Sequence, residues 1–309
     1  MTQDLKYGTS DGQPRTFVRS VKLAGSLCFF LGDFACRGLL RLFGVKRPAG
    51  CVVLYYHAVP ADEQAAFARQ MDTLLRLAVP VSINAHFPLD PEKRHIAVTF
   101  DDAFENVVDH AVPELCRRNI PAAIFVVTGV LGENATWWPE GSRERTARIS
   151  TARQLQQLPA DFITLGAHTH THPMLTHINP EEAQQELRES RERLAQLLGR
   201  DVTAFSFPFG AYNQDLVAYC REAGYQRVFT TMPENAFVSA DEFVTGRVKA
   251  DPSDWRLEFY LKCVGAYRWL PWALHLKNKA RANRWLGKAT FPAKPEAVIA
   301  SSTSASTKM

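Results

Sequence analysis

The chain has 309 residues, of which 46% are hydrophobic and 22% are charged, and its formal net charge is +4. This length can bury a large core and fits one barrel-sized domain with extensions better than two equal domains. The modest positive charge argues against a dedicated nucleic-acid binder, so we expect no nucleic-acid partner. The six cysteines are scattered without a CxxC pair, which indicates reduced thiols rather than a disulfide framework.

The beginning of the chain predicts two segments. Residues 1–17 are mostly polar and predict disorder, whereas residues 18–50 are apolar with basic side chains and predict a helical extension. The uninterrupted apolar run, 23–31, is too short to span a bilayer, and it starts late for a signal peptide and lacks a convincing cleavage site. Two interpretations stay open: an amphipathic helix that lies on a membrane, or a helix that covers an open side of the domain.

Apolar runs alternate with helical patterns through the middle of the chain. The predicted strands cover residues 51–56, 96–100, 122–127, 162–165, 204–207, 226–230 and 243–248. Helical periodicity appears between most of these runs, for example at 180–198 and 213–223. Strand–helix alternation with short connections predicts a parallel α/β sheet with right-handed crossovers. The pattern alone does not separate a barrel from an open sheet.

The second predicted strand ends in two adjacent carboxylates, Asp101 and Asp102. Parallel α/β folds place their chemistry at the carboxyl ends of strands. Two like charges this close repel each other and need a metal ion or a proton between them. The alternative is a helix N-cap, because Asp is favoured immediately before a helix.

Three histidines follow another strand-like run, within residues 166–173. His168 and His172 are four residues apart and share a face in either a helix or a strand, whereas His170 shares it only in a strand. Neutral imidazole is a common ligand of zinc-like ions. With Asp102, the pair predicts a catalytic metal site of two histidines and one carboxylate, with positions open to water.

Three stretches resemble motifs of the polysaccharide deacetylase family, also called NodB-like or carbohydrate esterase family 4. Residues 99–103 (TFDDA) resemble its TFDDG motif, and residues 168–173 (HTHTHP) resemble its H[ST]xxHP motif. Residues 205–210 (FSFPFG) resemble its third motif, a Pro-aromatic-Gly turn. The three motifs follow the family's order and usual spacing. The resemblance implies a distorted parallel (β/α) barrel of about seven strands over residues 51–250.

The resemblance also implies the roles of the site residues. Asp101 would be the general base, and the backbone N–H of Phe209 would help to stabilise the oxyanion. One divalent ion, zinc by default, would polarise a water molecule and the acetyl carbonyl. The ligands implied for this ion are Asp102, His168 and His172.

The leaving amine must be protonated, which requires a general acid. His57, at the end of the first predicted strand, resembles the histidine of a subgroup in which that motif moves to the start of the barrel; the alternative is a structural histidine. Ser206 and Phe209 depart from the family's RxPY pattern, so contacts to the substrate should differ more than the catalytic groups. Trp137 and Trp138 lie in a long predicted loop and are either buried anchors or stacking faces for sugar rings.

Residues 251–255 (DPSDW) resemble the family's fourth motif, which orients the catalytic aspartate, and they also fit an ordinary helix start. We therefore add Asp251 to the candidate site, together with Arg247, a possible ion-pair partner of Asp101. Residues 251–288 predict a basic, aromatic helical extension, kinked at Pro271, that either contacts a membrane or packs on the barrel. Residues 289–309 predict a disordered tail.

Together these features predict a metal-dependent hydrolase that removes an acetyl group from an N-acetylated sugar of a glycan or lipid-linked glycan. One alternative is a related C–N hydrolase that acts on a formyl group or a cyclic amide. Another is a non-catalytic, membrane-associated relative, which the presence of Asp101 disfavours. Without a recognisable signal sequence, we expect a cytoplasmic protein that binds peripherally to the inner face of the membrane.

Overall fold

The computed structural model describes residues 15–45, 48, 50–85 and 87–276. The predicted disorder over 289–309 and the end of the predicted basic extension, from residue 277 onward, lie outside these residues. So does most of the predicted N-terminal disordered segment. Its last residues, 15–17, are helical, because helix α1 begins at Arg15.

The described part of the chain contains nine strands, eight α-helices and the first residues, 270–276, of a further helix. The strands are β1 (Cys51–Tyr56), β2 (Val79–Pro80), β3 (His95–Phe100), β4 (Ala122–Val126), β5 (Ile163–Ala167), β6 (Ala204–Ser206), β7 (Arg227–Phe229), β8 (Val244–Thr245) and β9 (Val248–Lys249). The helices are α1 (Arg15–Leu42), α2 (Gln64–Leu77), α3 (Val112–Arg117), α4 (Arg143–Thr146), α5 (Ala152–Gln156), α6 (Pro180–Leu198), α7 (Gln214–Glu222) and α8 (Arg256–Cys263). A π-helical turn, Val107–Ala111, precedes α3.

All strand pairs in the sheet are parallel, in the order β8-β7-β6-β5-β4-β3-β1-β9, with β2 beside β3. β8 pairs with β7 at one end of this order, and β9, which follows it closely in the chain, pairs with β1 at the other end. The segment 244–249 therefore bridges both ends of the sheet. With β2 set aside and β8 and β9 counted as two halves of one strand, the sheet is a distorted barrel of seven strands, which confirms the predicted fold.

The last predicted strand, 243–248, is broken at Gly246 and Arg247. A Cβ on Gly246 would lie 2.3 Å from the carbonyl oxygen of Met232, so only glycine fits this close approach. The break leaves Arg247 fully buried at the seam of the barrel. From this seam, the guanidinium of Arg247 reaches the site described below.

The strands read as continuous apolar runs because both of their faces are buried. Every residue of β1, β3 and β4 is buried. A smaller core inside the barrel contains alternate strand residues, including Val53, Ala97 and Phe125, whereas their neighbours belong to a larger core beneath the helices. The same alternation makes Thr99 and Asp101 face the barrel interior at its carboxyl end.

Helix α1 packs one side on the barrel, in line with the interpretation of a covering helix. The Arg19 guanidinium donates to Glu258 at 2.7 Å, and the Trp269 indole N–H donates to Ser26 at 2.9 Å. By length and composition alone, residues 16–42 could also cross a membrane. The sequence analysis considered only the uninterrupted run 23–31, whereas the helix continues through Asp33 and Arg37.

The beginning of the predicted basic extension also packs on the barrel. Tyr267 is buried, and the Lys262 ammonium pairs with Asp254 at 2.7 Å and with Glu258 at 3.2 Å. The chain turns at residues 264–269, before Pro271, which lies in the first turn of the next helix, where proline is tolerated. The predicted kink at Pro271 therefore falls earlier. From residue 272 the chain belongs to a second compact unit, of which residues 272–276 are described and helical.

Candidate active site

Asp101 and Asp102 follow β3 directly, but the backbone sends their side chains in different directions. The Asp101 N–H donates to the Tyr56 carbonyl at 2.9 Å, which ties the ends of β3 and β1 together. Asp102 and Ala103 then adopt φ values of 70° and 56°, a left-handed conformation that residues other than glycine rarely adopt. Neither carboxylate accepts a hydrogen bond from the helical turn that follows in the described structure, so this pair is not an N-cap.

Asp102 lies beside the two histidines that the sequence analysis paired with it. Its Oδ1 atom is 3.6 Å from His168 Nε2 and 3.3 Å from His172 Nε2. The candidate ligand atoms of all three residues lie within 4.8 Å of one another, and all three residues are buried. His168 Nδ1 is 2.7 Å from the Ser206 carbonyl oxygen, to which it donates, so the Nε2 lone pair is free and directed toward the cluster.

The chemistry of this cluster fits a divalent cation. Asp102 Oδ1 and His172 Nδ1 are buried without a hydrogen-bond partner among the described residues. Burial raises the pKa of Asp102 to about 7; the Trp138 N–H opposes this shift and the charge of Asp101 adds to it. Burial lowers the pKa of both His168 and His172, so the imidazoles are neutral. Two neutral nitrogens and an unpartnered carboxylate oxygen form the donor set of an open catalytic metal site.

His170 lies outside this cluster. Residues 168–172 form a bend rather than a strand, with φ values of 68° at Thr169 and 63° at His172. His170 Nδ1 is instead 3.0 Å from the Thr128 hydroxyl. The Glu186 carboxylate on α6 accepts the backbone N–H groups of His170 and Thr171 at 2.7 and 2.9 Å, so α6 holds the loop between the two ligand histidines.

Asp101 is paired with a fully satisfied guanidinium. Arg247 donates to both oxygens of Asp101 at 2.8 Å, and its other N–H groups reach Thr99, Ser206 and the Thr230 carbonyl at 2.7–3.2 Å. All five guanidinium donors are therefore used. Burial alone would raise the pKa of Asp101, but Arg247 outweighs burial and holds that pKa well below its usual range. The carboxylate is thus ionised at neutral pH.

Aromatic side chains surround the cluster. The Trp138 N–H donates to Asp102 Oδ2 at 2.9 Å, and the Trp137 ring stacks on His172 with 4.4 Å between ring centroids. Phe209, which is 42% exposed and has a φ of 59°, packs edge-on against His172 with centroids 4.9 Å apart. The two tryptophans are half-buried and contact the candidate ligands. Sugar stacking on their outer faces stays a prediction.

His57 lies next to this aromatic wall. Its ring packs edge-on against Trp138 and Tyr55, with centroid distances of 4.9 and 5.6 Å. Burial, with a smaller contribution from the charge of Lys249, lowers the pKa of His57 to about 3, so the imidazole is neutral at neutral pH. The predicted role of His57 as a general acid stays a prediction, and a neutral ring must gain a proton before it can act in this way.

Asp251 does not reach Asp101. Its carboxylate accepts from the backbone N–H and the hydroxyl of Ser253, and Asp254 pairs with Lys262. The segment is the entry to α8, which matches the ordinary helix start considered above and not the orienting motif. The reason lies in the barrel: Arg247 points into the seam, whereas Asp251 follows the end of β9 and has left the barrel interior.

The sequence analysis missed several contacts that position the site. Trp138 holds Asp102, Ser206 contacts both Arg247 and His168, and Glu186 holds the histidine loop. Each contact joins residues that are distant in the sequence. Only Ser206 carried a signal, since it occupies the Arg position of the resembled RxPY motif.

Comparison with known proteins places this site in a family context. The profile of the family described as polysaccharide deacetylase matches residues 89–228, which contain both aspartates and both ligand histidines. YxkH of Bacillus subtilis, which is named as a polysaccharide deacetylase, is 23% identical over 218 residues. The match covers 67% of this chain and 74% of the relative. The poly-β-1,6-N-acetyl-D-glucosamine N-deacetylase of Staphylococcus epidermidis is 22% identical over 165 residues, 50% of this chain and 54% of the relative.

Solved structures share the fold. IcaB from Ammonifex degensii superimposes with a TM-score of 0.56 at 24% identity, over 69% of this chain and 97% of that one. The deacetylase PplD of Streptococcus pyogenes, solved with acetate, gives a TM-score of 0.56 at 20% identity, over 70% of this chain and 99% of that one. The subgroup suggested by the position of His57 stays a prediction. The matched profile and its relatives show that residues 89–228 of this chain are similar to the polysaccharide deacetylase family.

Proposed function

We propose that this protein is a metal-dependent hydrolase that removes the acetyl group from an N-acetylated sugar in a glycan. The observation that carries the proposal is the pairing of two unlike carboxylates at the carboxyl end of β3. Asp102 lies with His168 and His172 in a candidate metal cluster, and Asp101 beside it is held by Arg247. The similarity to the Staphylococcus epidermidis poly-β-1,6-N-acetyl-D-glucosamine N-deacetylase supports a glycan substrate.

The ion would be held by Asp102, His168 and His172, and zinc is the default for two nitrogens and one carboxylate oxygen. When bound, it would supply Lewis acidity to a water molecule and to the acetyl carbonyl. Trp138 fixes one oxygen of Asp102 and Ser206 fixes the tautomer of His168. These outer contacts leave one free acceptor on each residue for the ion.

Asp101 would accept the proton of the attacking water. Both of its oxygens accept from Arg247, but each retains a second lone pair. Because Arg247 lowers the pKa of Asp101, the carboxylate needs no prior deprotonation. A protonated Asp101 is also a comparatively strong acid, so it can pass the proton on to the leaving nitrogen as the C–N bond breaks.

His57 would assist this second transfer, and Phe209 would offer its backbone N–H to the developing oxyanion. Since His57 is neutral, it would relay a proton rather than store one. Position 209 is Phe where the family's RxPY motif has Tyr, so the side chain lacks a hydroxyl but the backbone donor remains. The stacking faces of Trp137 and Trp138 would contact the sugar ring next to the scissile bond.

Acetate release tests the proposal. Purified protein loaded with zinc should release acetate from N-acetylglucosamine oligomers with β-1,6 or β-1,4 linkages, or from a lipid-linked N-acetylated sugar. Metal-stripped protein and the Asp101→Asn variant are the matched controls. Release of formate from N-formyl sugars without release of acetate would favour the related C–N hydrolase. Release of neither acid by the metal-loaded protein would overturn the proposal.

We also propose that the protein acts in the cytoplasm. All six cysteines are free, and three of them (Cys51, Cys220 and Cys263) are buried as reduced thiols. Such thiols are typical of reducing compartments. Fractionation of cells, followed by thiol labelling under native conditions, should find the protein reduced on the cytoplasmic side.

A further inference from the structure

The charged residues of α1 share one helical face, which is partly buried at Arg19, Lys22, Asp33 and Arg37. They are separated by three, four or eleven residues, which correspond to about one or three helical turns. These residues are Arg15, Arg19, Lys22, Asp33, Arg37 and Arg41. Arg19 donates to Glu258 and to the Ser253 carbonyl, at 2.7 and 2.9 Å. Arg37 donates to Asp33 at 2.6 Å, and Asp33 is also 3.8 Å from Arg268. The docked side of the helix therefore carries charged residues beside the apolar Leu23, Leu27 and Phe30, which pack against the core.

The opposite face of α1 is apolar and exposed. Its large side chains are between 52% and 82% exposed, and they are Phe17, Val21, Leu31, Leu39 and Leu42. The small residues Ala24, Cys28 and Ala35 lie between them on the same face and are exposed as well. No charged residue occupies this stripe, which runs along a helix of 28 residues, or about 42 Å.

The apolar surface continues beyond the helix. Phe43 and Val45, just after α1, are 76% and 48% exposed. The exposed Phe87 and Val238 line a cavity of about 870 Å³ that Phe29 of α1 also lines. This cavity adjoins the first residues of β1 and β3, at the end of the barrel remote from the candidate metal cluster.

A helix exposed to water usually has charged and polar residues on its outer face, whereas the outer face of α1 is apolar. A continuous apolar surface of this size marks a site of contact with another apolar phase. Residues 15–47 contain seven Lys or Arg and one Asp, a net charge of +6 within a chain of +4. Arg41 is exposed at the end of α1, and Lys46 and Arg47 follow closely in the sequence. The segment that carries the apolar face is thus positively charged, which complements anionic lipid headgroups.

We propose that α1 seats the protein on an anionic lipid bilayer, lying in the plane of the membrane with its outer face at the boundary between headgroups and acyl chains. Spanning the bilayer would require α1 to leave the barrel, because it would break the contacts of Arg19 and Ser26 and bring Lys22, Asp33 and Arg37 into hydrocarbon. A second copy seated on the same face would bring two segments of the same positive charge together. The bilayer is the occupant that satisfies both the apolar stripe and the positive net charge of residues 15–47.

The seat also orients the barrel. Arg19 contacts Ser253 and Glu258, just beyond the carboxyl end of β9, whereas Arg37 donates to the Pro48 carbonyl, just before β1 begins. Helix α1 therefore runs along the barrel wall from the active-site end to the opposite end. On the membrane, the barrel axis lies along the bilayer and the active-site mouth opens beside it. This consequence, unlike the seat itself, rests on the proposed function: the mouth would receive acetylated sugars held at headgroup level.

Flotation with vesicles tests the seat without reference to activity. The full chain should float with vesicles containing phosphatidylglycerol, and less so with pure phosphatidylcholine or in high salt. Leu31→Gln/Leu39→Gln should reduce the partition coefficient by at least about tenfold, because each buried leucine contributes more than a tenfold factor. The matched control is Leu75→Gln/Val79→Gln, which changes two residues on α2 and β2 that are 40% and 43% exposed. The control should float like the wild type.

The depth of the helix separates an in-plane seat from a spanning one. A fluorophore on Cys28, which is exposed on the outer stripe, should be quenched most strongly by lipids brominated near the headgroup, at a depth of about 5–10 Å. Strongest quenching at the bilayer centre would overturn the in-plane seat. Failure of the wild type to bind anionic vesicles would also overturn it. In that case, dimerisation through α1 that is abolished by Leu31→Gln/Leu39→Gln would identify a second copy as the occupant. Because none of these readouts uses acetate release, failure of the seat and failure of the proposed function are distinguishable.

Discussion

Asp101 and Asp102 are both buried carboxylates, but the surroundings of each treat its negative charge in opposite ways. On the Asp101 side, a permanent cation, Arg247, donates to both carboxylate oxygens. On the Asp102 side, two neutral imidazoles and one indole N–H surround the carboxylate, and Oδ1 has no hydrogen-bond partner among the described residues. The pKa of Asp101 is consequently lowered, whereas that of Asp102 is raised.

The difference shows how one short motif can supply two unlike functional groups. A buried carboxylate needs a compensating charge. Where that charge is fixed in the fold, the carboxylate remains ionised and can exchange protons with the substrate. Where the fold supplies no compensating charge, the carboxylate retains affinity for an exchangeable cation. The left-handed backbone at Asp102 separates the two environments, because it turns the second side chain away from the barrel interior.

Removing the histidines should have the largest effect. We expect His168→Ala and His172→Ala each to lose the metal and, with it, activity down to the level of the metal-stripped protein, because each removes one of three ligands. Elemental analysis beside acetate release checks both losses. His170→Ala is the matched control and should keep its metal, since its ring contacts Thr128 instead. Full metal content in both ligand variants would rule out the cluster.

Asp101→Asn should have the next largest effect. The substitution preserves shape but removes the carboxylate that accepts the proton, so we expect the rate to fall about 10²–10⁴-fold, the usual contribution of a general base. The measurement is kcat for acetate release at saturating zinc. A variant within a few-fold of wild type would show that the proton goes elsewhere.

Arg247→Met should act on stability and on pH dependence. Leaving Asp101 buried without its cation should lower the free energy of unfolding by about 3–5 kcal/mol. The lowered folded-state pKa of Asp101 contributes stability that is present above its unfolded pKa, near 3.9, and is lost as the pH falls through the folded-state value. In the variant, burial raises the folded-state pKa of Asp101, so the difference between wild type and variant should be constant above that raised pKa and shrink as the pH falls below it.

Urea unfolding across this pH range measures that difference. Arg221→Met is the control, because Arg221 is an exposed arginine that stacks on Phe243. The acid limb of the activity profile should also move to higher pH in Arg247→Met, since burial then acts on Asp101 unopposed. A difference in stability that persists unchanged at acidic pH would place the contribution of Arg247 in packing rather than in the ion pair.

His57→Ala should have the smallest effect. If His57 relays a proton to the leaving amine, its loss should slow amide cleavage by at most about a hundredfold. Hydrolysis of an activated acetyl ester, whose leaving group needs little acid assistance, should be nearly unchanged. Equal losses on both substrates would mean that His57 only packs against Trp138.

The sequence predicted those parts of the site that are encoded locally. The two aspartates and the paired histidines each lie within a few residues, and the alternation of strands and helices places both stretches at the same end of a parallel sheet. Arg247 was suggested as a partner of Asp101, and the structure brings the two together. Asp251 was assigned to the same task, but strand alternation could not reveal where the chain leaves the barrel.

Other features depend on contacts that no local pattern carries. Trp138 reaches Asp102 from a long loop, and Glu186 holds the histidine loop from a helix that reads as a solvated outer face. The break at Gly246 depends on a carbonyl that approaches from residue 232. In α1, the six charged residues interrupt the apolar run in sequence, yet the helix gathers them on one face, so a count along the chain understated its apolar surface.

The central claim is that neighbouring carboxylates divide the work, one holding the metal and the other moving protons. Zinc titration of Asp101→Asn and Asp102→Asn tests it most directly, because the two variants make the same isosteric change one residue apart. We expect Asp101→Asn to bind one zinc per chain with nearly wild-type affinity. Asp102→Asn should lose more than about a hundredfold in affinity, beyond the 10–100-fold typical of an outer-shell partner. Equal affinity in the two variants, or a larger loss in Asp101→Asn, would contradict the account.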